Sequence, residues 1–258
     1  MRRLQLIEFH EEPWYPEAMR EIQREILHLA NEHTGFAAAL SEPFLEVLRE
    51  TGASTVLDLC SGAGGPIVLV VRSLEAHGVR PPKVLLSDLY PNVEDWRRLR
   101  DQHPSWLDFV EEPLDATSIP GTIGGDLVTI VNALHHFPAE GVRGVIEGAV
   151  RREASIFIAE GFPRSVLRAT AYLPSLLRAI PEALRTTSGR KLEKILLSFS
   201  VLPVTGGWDW LASALRIHEP AELVELGRDV APHYRWRHDF VPFPPWGRAV
   251  YAVGVGPG

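Results

Sequence analysis

Residues 56–66 read V-L-D-L-C-S-G-A-G-G-P, an apolar run that meets an acid and then a loop holding three glycines. Glycines at such a place let backbone amides approach a ligand with no Cβ in the way, and the amides at the start of a following helix face it. Three ligand classes use loops of this kind, and the details separate them. A phosphate-binding P-loop closes on Gly-Lys-Ser/Thr, whereas this loop closes on Gly-Gly-Pro. A dinucleotide loop follows G-x-G-x-x-G, and here Ile67 stands where the third glycine belongs. Asp58 would also repel a pyrophosphate, since like charges disfavour each other. A carboxylate at that point suits a ligand carrying positive charge.

Other residues able to do chemistry lie further along. His135 and His136 follow the apolar run that ends at Asn132. Histidine titrates near neutrality and suits a general base; the candidates are His135, His136, His218, His33, Glu160 and Tyr15. Adjacent histidines point in different directions, so at most one of the pair faces a cleft, and no metal is expected between them. Cys60, the single cysteine, has no accompanying His/Asn set and reads as a small apolar filler under the loop. No G-x-S-x-G elbow occurs, which removes the α/β-hydrolase reading.

The elements that must position these residues follow from periodicity. Residues 55–60, 83–87, 107–110, 126–132 and 155–160 are short runs rich in Val, Ile and Leu, several apolar at consecutive positions, as strands buried on both faces are. Helix-length segments at 67–77, 93–102 and 141–151 lie between them, so the pattern predicts βαβ units and a mostly parallel sheet. Upstream, Met19, Ile22, Ile26 and Leu29 form one apolar stripe, and a second helix is predicted over 41–51 with Gly52 placed to end it. After Glu160 the rhythm breaks. Residues 162–219 hold helical stretches around 165–178 and 190–200, punctuated by Pro163, Pro174, Pro181 and Pro203, and a Gly206-Gly207 pair before W-D-W. A helix from Pro220 towards Val230 and two strands, 234–240 and 250–254, complete the chain. The division expected is an N-terminal helical cap over 1–54, a core over 55–161 and 220–258, and a helical lid over 162–219.

S-adenosylmethionine, with its sulfonium and α-ammonium, is a ligand of the required charge. The sequence resembles the class I S-adenosylmethionine-dependent methyltransferases of the small-molecule type, through ordered motifs covering about residues 50–160. V-L-D-L-C-S-G-A-G-G matches the first motif; by that match Asp58, Gly62 and Gly64, with Ala63 between them, would hold the methionine end. K-V-L-L-S-D-L ends in Asp88, which the resemblance makes the acceptor of both ribose hydroxyls, with Leu89 beside it. L-D-A-T places Asp115 and Ala116 at the adenine ring, and G-D-L-V-T-I-V-N-A-L-H-H-F places Asn132 at the end of the fourth strand. The resemblance implies a Rossmann-like α/β fold with a seven-stranded mixed sheet, the last strand antiparallel, flanked by helices and covered by a helical lid. It implies methyl transfer from S-adenosylmethionine to O, N, S or C of a small molecule, leaving S-adenosylhomocysteine. A protein that binds the cofactor for other chemistry, or as a sensor, stays open as an alternative. Trp14, Tyr15, Tyr172, Phe199, Trp208 and Trp210 are candidates for an aromatic pocket wall, and Arg216 either steers an acidic acceptor or pairs with a neighbouring carboxylate.

Class exclusions agree. The chain has 258 residues, 26 Lys plus Arg against 33 Asp plus Glu and a formal charge of −7, which argues against a nucleic-acid binder. N-A-L-H also stands where family members acting on nucleobase amino groups show Asp/Asn-Pro-Pro-Tyr/Phe, and Arg97, Arg98, Arg100, Arg151 and Arg152 read as solvated helix faces. One cysteine excludes an internal disulfide framework. The N-terminal stretch turns acidic before a long apolar run develops, and 195–204 is too short to span a bilayer. A soluble cytoplasmic protein without a membrane partner is expected; no heptad pattern speaks to oligomeric state.

Overall fold

The computed structural model describes residues 2–186, 196 and 200–257. Seven strands form one sheet: β1 (Thr55–Leu59), β2 (Lys83–Leu86), β3 (Leu107–Phe109), β4 (Leu127–Val131), β5 (Ser155–Glu160), β6 (Arg235–Phe243) and β7 (Gly247–Val255). Their order is β3-β2-β1-β4-β5-β7-β6. The first five run parallel, while β7 lies antiparallel to β5 and pairs with β6 as a hairpin. Every residue of β4 and β5 is buried, which is why those runs are apolar without alternation. β6, at the edge, exposes most of one side.

Helices cover both faces. α2 (Phe36–Thr51), α3 (Gly65–Ala76) and α4 (Val93–Gln102) share one apolar core with the sheet, built around Phe44, Trp96 and Phe157. α5 (Ala139–Val150) and the helix Pro220–Val230 close the other face around Leu57, Ile130 and Trp236. α2 therefore belongs to the core layer, although it falls within the 1–54 segment expected to act as a cap. It also starts five residues earlier than periodicity predicts, because Phe36, Ala37 and Leu40 are buried against the sheet side. Gly52 ends it as expected, in the left-handed conformation with its N–H on Leu48 O at 2.9 Å.

A third apolar cluster joins α1 (Glu17–His33), α7 (Leu173–Thr186) and α8 (Leu202–Arg216), with α6 (Val166–Ala169) leading in and α9 (Pro220–Val230) following. α7 continues through Pro181 and α8 through Gly206-Gly207. Burial of Ala179 and Ala183 against Met19, Ile22 and Ile26 outweighs the lost backbone bond at the proline. The helix expected over 190–200 falls almost wholly, and Phe199 wholly, outside the described residues. No helix of the described residues is long and apolar enough to cross a membrane.

One packing detail yields a stability test. The Trp236 ring sits against two glycines: a methyl on Gly227 would fall 2.5 Å from it, and one on Gly254 2.6 Å. Gly227→Ala should gain roughly 1 kcal/mol of helix propensity but force the ring aside, at a cost of about 1–3 kcal/mol. A lowered denaturant midpoint with unchanged slope is expected. A raised midpoint would show that Trp236 is loosely held.

Candidate active site

The strand order reverses between β1 and β4, and in sheets of this kind ligands bind beyond the carboxyl ends at that point. Both strands end in a residue with positive φ: Cys60 at 56° and Asn132 at 57°. Such conformations are uncommon outside glycine and concentrate at functional sites. Asn132 tolerates it because its Oδ1 accepts from Gly161 N at 2.7 Å, tying the tip of β4 to the chain leaving β5. In the loop between β1 and α3, Gly64 has φ 93° and lies so close to α4 that a Cβ would stand 2.3 Å from Leu99 Cδ1. Trp96 Nε1 donates to Gly62 O at 2.9 Å, fixing the loop from below.

Asp58 and Asp88 take different positions around that loop. Asp58 is buried beneath it, one oxygen accepting from Ser61 Oγ at 2.7 Å and the other from Thr129 Oγ1 at 2.6 Å. Burial pushes its carboxyl up to about 7, against the pull of those two hydroxyls and with help from the charge of Asp88. A cation beside it would favour the ionised form. Asp88 is half-buried and accepts from Gly62 N and Tyr90 N, each at 2.9 Å, so it joins the loop to the end of β2 with lone pairs to spare. Leu114 N donates to Asp88 O at 2.8 Å, which brings Asp115 and Ala116 to the same edge. Gly62, Leu89 and Asp115 face solvent there; Ala63 is half-buried and Ala116 buried. Burial and the charges of Asp88, Asp58 and Asp115 push the Cys60 thiol well up, so it stays protonated and is no nucleophile.

Beyond Asn132 a cavity of about 530 Å³ opens between the tips of β4 and β5 and the helices α1, α7 and α8. Ile26, Leu27, Leu176, Leu177, Ile180 and Leu202 supply an apolar wall, and Asn132, His135, Glu160, Asp209 and Gln23 supply polar groups. His135 and Glu160 are both buried, and Glu160 holds the histidine twice. Its Oε1 accepts from the backbone N of His135 at 3.0 Å, and its Oε2 lies 3.0 Å from Nδ1. Burial draws the imidazole towards the neutral form, but the charge and hydrogen bond of Glu160 outweigh it and push His135 up from the ordinary histidine value. His136 goes the other way, lowered by burial and by the charge of His135 despite a 2.5 Å contact with Glu11 Oε1. Two neighbouring histidines thus have opposed protonation tendencies.

The remaining candidates separate. Tyr172 and Trp210 line the cavity. Tyr15 does not: its hydroxyl is spent on Gln23 Oε1 at 3.2 Å and Thr205 Oγ1 at 2.9 Å, where the segment entering α1 packs on α8. Trp14 is 63% exposed against the edge of Phe9, and Trp208 donates to Ile7 O. His33 pairs with Glu182, and His218 Nε2 lies 3.0 Å from Phe137 O; neither reaches the cavity. Arg216 is buried and turned onto carboxylates, its Nη1 3.1 Å from Glu8 Oε1 and 2.9 Å from Glu11 Oε2. Those bonds to Arg216 and His136 overcome burial and hold Glu11 at about 2.

Sequence reading missed Glu8, His10, Glu11 and Asp209. Residues 2–16 run across the mouth of the fold, pinned by Leu4 N on Leu215 O at 3.0 Å, Arg3 Nη2 on Phe137 O at 2.8 Å and Phe9 N on Asp209 Oδ1 at 2.6 Å. The only signal was a dense acid–histidine run before the first helix.

No protein-family model matches the chain, and no curated protein matches it in sequence. Solved structures do resemble it in shape. The N-methyltransferase NodS from Bradyrhizobium japonicum WM9, in complex with S-adenosyl-L-homocysteine, superposes with a TM-score of 0.55 at 10% identity over 94% of this chain and 100% of its own. The plantazolicin methyltransferase BpumL, also in complex with S-adenosylhomocysteine, gives 0.52 at 10% identity over 96% of this chain and 93% of its own. The S-adenosylmethionine-dependent methyltransferase SibL gives 0.52 at 16% identity over 85% of this chain. The chain spans 55% of the length of SibL and 56% of that of an O-methyltransferase family protein from Burkholderia thailandensis. With its strand order reversing between β1 and β4, the chain has the Rossmann-like fold of these methyltransferases.

Proposed function

We propose that the protein transfers a methyl group from S-adenosylmethionine to a small acceptor held in the cavity, leaving S-adenosylhomocysteine. One observation carries this reading: Asn132, at the β4 tip beside the glycine loop, also lines the apolar cavity that contains the buried His135–Glu160 pair. A crevice for the donor and a chamber for an acceptor therefore share a wall. The crevice suits the donor chemically, with an open backbone at Gly62, spare acceptor capacity on Asp88 for a ribose diol, and the buried carboxyl of Asp58 under the positively charged end.

When bound, S-adenosylmethionine supplies an activated methyl on a sulfonium leaving group. The chain does the rest. Glu160 accepts from Nδ1–H of His135 and leaves Nε2 as the nitrogen that can take a proton from an acceptor O–H or N–H. The wall from α1, α7 and α8 excludes water and orients the acceptor. Trp210 Nε1 is buried without a hydrogen-bond partner among the described residues, so an acceptor with an apolar body and a polar edge fits this chamber. The N-terminal segment with α1, and residues 162–219, act as the lid in this reading, which gives α2 to the core.

Binding measurements test it first. S-adenosylhomocysteine should raise the melting temperature while NAD and ATP do not. Asp88→Ala should weaken S-adenosylhomocysteine binding about tenfold or more, since hydrogen bonds to ions are worth roughly 1.5–3 kcal/mol. Equal affinity in calorimetry would remove the ribose assignment, and a shift with NAD alone would reverse the choice of cofactor.

A further inference from the structure

Glu8, His10, Glu11 and His136 each turn one ligand atom towards a common point on the cavity wall, and these four atoms all lie within 4.8 Å of one another. Glu8 Oε2 is 3.6 Å from His10 Nδ1 and 3.9 Å from His136 Nδ1, while His136 Nδ1 is 2.5 Å from Glu11 Oε1. Ligand atoms held at about 2.1 Å around a tetrahedral ion stand roughly 3.4 Å apart. The four donors already bracket that spacing.

Arg216 shows why the inward atoms are free to point there. Its Nη1 takes the opposite oxygen of each carboxylate, Glu8 Oε1 at 3.1 Å and Glu11 Oε2 at 2.9 Å. Each acid therefore presents a single oxygen inward and is held from behind, as outer-shell donors hold the carboxylate ligands of metal sites. An independent observation marks the same point. Glu8 is 1% exposed, and its Oε2 has no hydrogen-bond partner among the described residues. A bare carboxylate oxygen away from water is costly, and a cation at this point satisfies it.

The geometry points to a divalent-cation site made by Glu8, His10, Glu11 and His136 on the cavity wall. Two imidazoles and two carboxylates favour Zn²⁺ over Mg²⁺ or Ca²⁺, which prefer all-oxygen sets. Asp209 Oδ2 lies 3.1 Å from the same His10 nitrogen, so an ion on that nitrogen takes the place of this hydrogen bond. Glu8, His10 and His136 line the chamber, so the ion lies where an oxygen of a bound small molecule can reach it. All four donors come from the N-terminal segment and the turn after β4, and none from the glycine-loop crevice. The site therefore stands or falls separately from the cofactor reading.

The full chain, freed of metal with a chelator, is titrated with ZnCl₂ in calorimetry and thermal unfolding, with MgCl₂ as comparator. One equivalent of Zn²⁺ should bind and raise the melting temperature, at least tenfold more tightly than Mg²⁺. Glu8→Gln and His136→Ala should each weaken Zn²⁺ binding at least tenfold, whereas His77→Ala, on an exposed helix end, should leave it unchanged. Should Glu8→Gln fail to fold by circular dichroism, His10→Ala carries the same comparison from the more exposed rim. Absence of Zn²⁺ binding by folded wild-type protein, or equal binding by wild type and these variants, overturns the proposal.

Discussion

His135→Ala is expected to lower kcat roughly 10²–10⁴-fold, the range a positioned general base supplies, while binding of S-adenosylhomocysteine stays within about twofold of wild type. The split follows from position: His135 lines the cavity, whereas Asp58, Gly62 and Asp88, which the proposed reaction gives to the donor, do not. The pH dependence is the sharper readout. A base works only when neutral, so activity should rise with pH along a limb centred above the ordinary histidine value of about 6.5, because Glu160 pushes His135 up. Glu160→Gln keeps a hydrogen-bonding oxygen but removes the charge. Burial then prevails, the limb should move to lower pH, and the plateau rate should fall with the weaker base. An unmoved limb in Glu160→Gln, or full activity in His135→Ala, would remove the dyad from the mechanism.

Arg216→Met should destabilise the fold by about 3–5 kcal/mol, the range seen when one partner of a buried ion pair is removed. In a chain of this size that is a fall in Tm on the order of 10 °C. Arg216 is 2% exposed and faces Glu8 at 1%; besides the two carboxylates it donates to His135 O at 3.3 Å and His136 O at 3.0 Å. Its removal leaves the buried Glu8 carboxylate without its cation, and leaves the two carbonyls only the longer 3.4 Å bonds from Arg3 Nη2 and Gln5 Nε2. Adding Glu8→Gln to Arg216→Met should restore part of the loss, because the stranded charge goes too, and the double-mutant cycle reports that coupling. A single-variant loss under about 1 kcal/mol would mean the pair is reached by water.

Both experiments turn on contacts that no local pattern announces. Glu11 and His136 are 125 positions apart, and Phe9 and Asp209 are 200 apart. Read along the chain, Glu8 to Glu11 only turned the N-terminal stretch acidic before a long apolar run developed, and Tyr15 and Trp14 looked as fit for a pocket as Tyr172 and Trp210. Which aromatic faces the chamber depends on how α1 rotates against α7 and α8, and that rotation is set by the fit of Met19, Ile22 and Ile26 against Ala179 and Ala183.

The sheet and the bare glycine loop were legible because their causes are local. Strands buried on both faces must be apolar at consecutive positions, and a backbone that closes on Leu99 must be bare. Acids at the ends of β1 and β2 could be placed by counting along those same runs. The cavity and its acid–histidine wall were decided only by tertiary structure. Their residues come from five separate segments, each meeting its partners through packing of whole helices, and side-chain geometry across such an interface leaves no period in the sequence.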